Sequence, residues 1–85
     1  MMESGQRTDV DMRQLVRAVW EQVLGHADFG DDDRFFTVPG GHSLTAVQVV
    51  VALSKELDVK LPVRLIMRHR TVNELAAAIT EQAGA

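Results

Sequence analysis

The residues best suited to chemistry sit together in Gly40-Gly41-His42-Ser43, where two glycines, an imidazole and a hydroxyl precede a long aliphatic run. Ser43 has three uses consistent with that setting. As a nucleophile it needs a base within hydrogen-bond reach, itself oriented by a third group. The Gly-x-Ser-x-Gly elbow lacks its last glycine, because Thr45 stands there, and no strand precedes it. As a helix cap, Ser43 would accept a hydrogen bond from the first turn of the helix it opens. As an attachment point, it would set a phosphodiester against free backbone amides and the positive end of a helix dipole, worth about 0.3–1 kcal/mol at an exposed site. The glycines do not form a nucleotide loop, since no Gly-Lys-Ser/Thr follows them.

Other constellations are weaker. Asp28, Asp31, Asp32 and Asp33 lack the alternating ligands, central glycine and terminal glutamate of a calcium loop, and read as a solvated loop with possible helix caps. His26, His42 and His69 share no metal-ligand spacing. The chain has no cysteine, hence no disulfide, no thiolate zinc site and no thiol nucleophile, and any sulfur chemistry must be brought from outside. A net charge of -3 is the wrong sign for a protein that neutralises phosphates along a nucleic acid. No basic start leads into an apolar stretch, and no apolar run approaches the roughly 18 residues of a membrane span. A cytoplasmic protein is expected, with no nucleic-acid or membrane partner.

The elements that must position Ser43 come next. A chain of 85 residues holds one small domain, and domains near 60 residues bury only about 60% of their unfolded surface, so a spacious internal active site is not expected. Residues 1–8 are polar and aperiodic, a flexible N-terminal tail; 9–82 form the domain and 83–85 a C-terminal tail. Met12, Leu15, Val16, Val19 and Val23 recur at the spacing of an amphipathic helix, widened by Trp20 and Leu24, with Asp9 or Asp11 to cap it and Gly25 to end it. Residues 26–42 have no helical period and read as a long loop pinned to the core by Phe29, Phe35 and Phe36. A second helix starts at Ser43 and runs to about Leu57. After a short turn, Val63, Ile66 and Met67 mark a short helix, and Thr71-x-x-Glu74 is a capping box ahead of a last helix ending near Gln82. The expected fold is all-α, a small four-helix bundle of three main helices and one short one.

On a helical wheel, Ala46, Val49, Val50, Leu53 and Leu57 share one arc of the second helix, its core face. Leu44, Val47 and Val51 fall on another arc together with Ser43 and Ser54. That second strip either packs under the long loop or meets a partner, as small exposed apolar patches do in transient interfaces.

The run Gly-Gly-His-Ser-Leu after Asp-Asp-Asp-Arg-Phe-Phe, followed by Leu-Pro-Val and Thr-Val-x-x-Leu-Ala, resembles a peptidyl carrier protein, the thiolation domain of nonribosomal peptide synthesis, within the phosphopantetheine-binding acyl carrier superfamily. The resemblance covers roughly Val10 to Ile79. It implies a four-helix bundle whose Ser43 accepts 4'-phosphopantetheine from coenzyme A through a separate phosphopantetheinyl transferase. The terminal thiol of that arm then holds an aminoacyl or peptidyl group as a thioester, which suits a chain with no cysteine of its own. The implied partners are an adenylation enzyme that loads the arm and condensation, tailoring or thioesterase enzymes that use it. Leu44, Val47 and Val51 become the counterparts of the family's docking face. His42 before the serine resembles peptidyl carriers, whereas fatty-acid and polyketide carriers usually show Asp.

The chain departs from the family at two places. Thr37-Val38-Pro39 is one residue longer than the usual link between the phenylalanines and the glycines, with Val38 in the place of a buried leucine. His69-Arg70 replaces His-Pro and, with Arg64 and Arg68, makes a basic cluster that bears on partner choice. The expected protein is a non-catalytic, monomeric and discrete carrier. The alternatives are an acyl carrier of polyketide or fatty-acid type, an unmodified helical interaction module, a DNA-binding domain and a small serine hydrolase.

Overall fold

Each segment with apolar residues at three- and four-residue spacing is helical. The computed structural model describes residues 8–84, and among these it has four α-helices, one 3-10 turn and no strand. They are α1 (Thr8–Leu24), the turn at Phe35–Thr37, α2 (Ser43–Leu57), α3 (Arg64–Arg68) and α4 (Val72–Gly84). This is the expected all-α bundle with one short member. α1 packs against both α4 and α2, and α3 touches α2 and α4.

The ends differ in detail from the sequence reading. Thr8 is already helical, so Asp9 and Asp11 lie inside α1 rather than capping it. The expected N-terminal tail otherwise falls on residues 1–7, outside the described residues. α4 continues past Gln82 to Gly84, leaving of the expected C-terminal tail only Ala85, which is also outside them. Gly25 does end α1, with its amide on the carbonyl of Glu21 at 2.8 Å.

The core is aliphatic around one indole. Val16, Val19 and Trp20 of α1 meet Ala46, Val49, Val50 and Leu53 of α2, Leu65 and Ile66 of α3, and Val72, Leu75 and Ile79 of α4. Burying one such large side chain contributes about 1.5–3 kcal/mol. Within α3 the buried pair is Leu65 and Ile66, while Val63 and Met67 stay exposed, so of the expected Val63, Ile66, Met67 series only Ile66 faces the core. Val63 precedes the helix as its N-cap, and a helix this short has only one buried side.

The long loop is fastened by aromatic and polar groups. Trp20 stands edge-on to Phe35 at 4.9 Å and tilted to Phe29 at 5.5 Å; Phe29 and Phe35 are buried and Phe36 partly so. The Arg17 guanidinium lies over the Phe29 ring, donates to the Phe29 carbonyl at 2.8 Å and pairs with Asp31 at 2.9 Å. Asp32 accepts from the Asn73 side chain, Asp33 from the Gly30 amide, and the Asp31 carbonyl from the Asn73 amide. Three of the four aspartates therefore bind the loop to itself and to two helices, more than the solvated role expected of them.

At the start of α4, Thr71 caps as expected, its Oγ1 accepting from the Glu74 amide at 3.0 Å. The reciprocal half is displaced by one residue, because the Glu74 carboxylate accepts from the Arg70 amide, not from Thr71. The neighbouring Phe35 amide donates to the Arg70 carbonyl at 2.7 Å, tying the 3-10 turn to the α3–α4 connection.

Candidate functional site

The turn before α2 is shaped by its two glycines. Val38 is buried, in the role expected for it, and its carbonyl accepts from the Gly41 amide at 2.8 Å. Gly40 has φ +88°, a left-handed conformation that a side chain resists. A Cβ on Gly41 would run into the backbone carbonyl of Phe35, so the chain here passes too close to the 3-10 turn for any other residue. Between Val38 and Gly40, Pro39 presents its carbonyl to the His26 ring.

His26 has a definite tautomer. Its Nδ1 accepts from the Asp28 amide at 3.0 Å, which leaves the Nε2 proton for the Pro39 carbonyl at 2.8 Å. The ring thus links the end of α1 to the approach to α2. Among the described residues no group of three His, Cys, Asp or Glu side chains is placed to hold a metal ion.

Ser43 is the first residue of α2, and His42, extended at φ -149°, is its N-cap. The cap reading of Ser43 is corrected accordingly: its hydroxyl satisfies no helix amide. Thr45 serves the cap residue instead: its Oγ1 accepts from the His42 amide at 2.9 Å and lies within donating distance of the carbonyls of Gly40 at 2.7 Å and His42 at 3.0 Å. One threonine hydroxyl ties the glycine turn to the helix it opens. The Ser43 side chain is left exposed at the head of a fifteen-residue helix.

Going along α2, Leu44 is 63% exposed, Val47 38% and Val51 48%. Ser43, Val47 and Val51 follow at four-residue steps and so lie on one face of the helix. The alternative that this strip packs beneath the long loop is overturned by that exposure: in the loop, Phe29 and Phe35 turn to Trp20 and Phe36 packs on Phe35. Ala46, Val49, Val50 and Leu53 are buried as the wheel requires, with Leu57 partly so. Arg64 and Arg68 are exposed on α3, and neither forms a salt bridge among the described residues.

Sequence reasoning missed Thr45, Arg17 and His26. A threonine at the third helical position is a legible partner for a cap once His42 is taken as that cap. Arg17 and His26 each have one near partner, Glu21 and the Asp28 amide, but the contacts that fasten the loop reach ten or more residues along the chain, and nothing local in the sequence marks those.

A helical bundle that holds an exposed serine at a helix start, behind a turn cleared of side chains, has the form of a carrier domain. The family whose model matches residues 14–79 is described as "Phosphopantetheine attachment site". The chain belongs to that family, whose members carry covalently attached phosphopantetheine. It is 39% identical to tyrocidine synthase 2 of Brevibacillus parabrevis over 81% of its length. It is 52% identical to tyrocidine synthase 3 of the same organism over 68% of its length, and 35% identical to gramicidin S synthase 2 of Brevibacillus brevis over 78%. The chain spans 1% to 2% of the length of these relatives. In structure it is similar to BlmI, a type-II acyl-carrier-protein from Streptomyces verticillus involved in bleomycin biosynthesis, with a TM-score of 0.82 over 93% of this chain and 95% of that one at 24% identity.

The residues present fit the family's group. A phosphate-linked arm needs an unengaged hydroxyl and donors near the phosphate. Ser43 is exposed, and the first-turn amides of α2 have no intrahelical acceptor.

Proposed function

We propose that the domain, within residues 9–82, carries aminoacyl or peptidyl groups in nonribosomal peptide or related biosynthesis, with Ser43 as the attachment point. The observation that carries this reading is the Ser43 hydroxyl itself, exposed and uncommitted at the head of α2 in a chain of the phosphopantetheine-attachment family. The similarity to tyrocidine and gramicidin S synthases favours amino-acid cargo over a polyketide or fatty-acid chain.

In this reading Ser43 Oγ forms a P–O bond to the pantetheine phosphate of coenzyme A, the nucleotide phosphate leaves, and the hydroxyl proton passes to a base of the transferase. The arm, once attached, supplies the thiol that holds cargo as a thioester, the one reactive sulfur a chain without cysteine lacks. In this reading the protein's own residues present and position the arm, and the chemistry belongs to the partner enzymes. The exposed strip of Leu44, Val47 and Val51 beside Ser43 forms the docking face, with Arg64 and Arg68 on the adjoining helix α3. Its partners are the transferase, an adenylation enzyme, and condensation, tailoring or thioesterase enzymes, met one at a time by a monomer in the cytoplasm. Among the described residues no helix is long and apolar enough to cross a membrane.

The test is intact-mass spectrometry after incubation with coenzyme A, magnesium and a broad-specificity phosphopantetheinyl transferase. Wild type gains one phosphopantetheine and Ser43→Ala gains none. A folded wild-type protein that stays unmodified would return the chain to the unmodified interaction module.

A further inference from the structure

A groove on the flank of the bundle, apart from Ser43 and the α2 strip, is lined by Arg34, Phe36, Thr37, Met67 and Arg70. We infer that this groove is a second docking surface, and that it receives an acidic protein segment in which carboxylates flank an apolar side chain. The inference rests on the carrier reading in one respect: a carrier must be recognised by several proteins in turn, so one strip along α2 need not be its whole interface.

The floor is apolar and unfilled. Met67 is 41% exposed although it belongs to a helix that buries its neighbour Ile66, and Phe36 is only partly buried although Phe35 beside it is fully so. The walls are cationic. Arg34 and Arg70 stand 36 positions apart in sequence, but the hydrogen bond from the Phe35 amide to the Arg70 carbonyl holds their two segments together. The Arg70 Nε also donates to the Met67 carbonyl at 2.9 Å, which fixes the direction of the guanidinium before anything binds. A pre-oriented guanidinium loses less entropy per hydrogen bond formed than a free one.

The carboxylates adjoining this pair in sequence or by hydrogen bond are engaged with backbone amides. Asp33 accepts from the Gly30 amide and Glu74 from the Arg70 backbone amide; among the described residues neither forms a salt bridge with Arg34 or Arg70. Arg64 and Arg68, exposed on α3, add two more positive charges on the helix that supplies Met67. A chain with net charge -3 thus places a cationic wall around its apolar groove. Two guanidinium forks suit carboxylates bidentately, and the Phe36–Met67 floor suits an aliphatic or aromatic side chain held between them. Like charge on a basic partner would be rejected at the same place.

The experiment uses the full chain, labelled with nitrogen-15, and a short helical peptide in which Asp and Glu flank Leu and Phe. A second peptide has every Asp and Glu replaced by Asn and Gln, and coenzyme A is titrated separately. Amide shifts at residues 34–37 and 67–70 are expected with the acidic peptide only, fading as salt is raised. The apparent affinity should fall about tenfold in Arg34→Glu/Arg70→Glu, and by less in Arg34→Gln/Arg70→Gln, a pair kept in case charge reversal disturbs the fold. No shifts at these residues, equal binding of the neutral peptide, or shifts unaltered in both variants would overturn the inference. So would shifts produced there by coenzyme A alone, which would make the groove a phosphate site. Wild-type modification by the transferase is measured alongside: its failure would remove the carrier reading and leave the peptide result to stand on its own.

Discussion

The α-carbon of Gly41 faces the backbone carbonyl of Phe35 with no room between them for a Cβ. Phe35 is itself held edge-on to Trp20, so the position of the serine-bearing turn is set from the centre of the core. Gly41→Ala must therefore push backbone against backbone. We expect a loss of about 1–3 kcal/mol in urea unfolding, followed through the single tryptophan, together with slower modification of the protein that remains folded. A variant as stable as wild type and modified at the same rate would show that the turn moves aside at no cost.

Ser43 and Thr45 separate the two roles, cap and attachment point, that the sequence reading offers to Ser43 alone. Since Ser43 Oγ holds no helix amide, Ser43→Ala should change stability by no more than about 0.5 kcal/mol while abolishing modification. Thr45→Val keeps the shape and removes a hydroxyl that spans the Gly40 carbonyl and the His42 amide, so it should cost about 1 kcal/mol. Thermal unfolding of both variants decides it. A loss of about 0.5–2 kcal/mol in Ser43→Ala would restore the serine as the cap.

The buried arc of α2 was legible because its period is unbroken from Ala46 to Leu57, and the same wheel located the exposed strip. The cap was misassigned by one residue because Ser is a favoured cap and His is not, whereas the turn geometry imposed by Gly40 and Gly41 leaves His42 extended. The loop's polar fastening stayed hidden for a different reason. The Arg17 guanidinium meets Asp31 fourteen positions away and the Asn73 amide meets the Asp31 carbonyl from the far helix, and no local spacing encodes such contacts. Binary pattern reports which face is buried; it is silent on where a long side chain ends.

Arg17 carries its own prediction. Its guanidinium serves the Phe29 carbonyl, the Asp31 carboxylate and the Phe29 ring at once, in a partly exposed setting where a simple ion pair contributes little. Arg17→Met retains the stem and should lose about 1–2 kcal/mol, mainly from the hydrogen bond and the stacking. Arg17→Lys should recover only part of this, because an ammonium lacks the planar fork. Amide exchange should quicken at residues 28–33 in both. Full rescue by lysine would mean that charge alone holds the loop.

The docking strip yields the prediction that bears most directly on function. Val47 and Val51 are exposed and lie outside the buried core, so Val47→Asp and Val51→Asp should change stability by no more than about 0.5 kcal/mol. A carboxylate in place of an apolar contact at a desolvated interface typically costs about 1 kcal/mol or more, so transferase-catalysed modification at limiting protein concentration should slow by about tenfold. Raising the carrier concentration should restore the rate, since the defect lies in encounter with the enzyme and not in the Ser43 hydroxyl. Ala77→Asp, a similar change on the exposed side of α4, is the control and should be modified like wild type. Normal modification of both valine variants would move the transferase contact off this strip, and a slowed control would assign the effect to added negative charge rather than to the lost apolar surface.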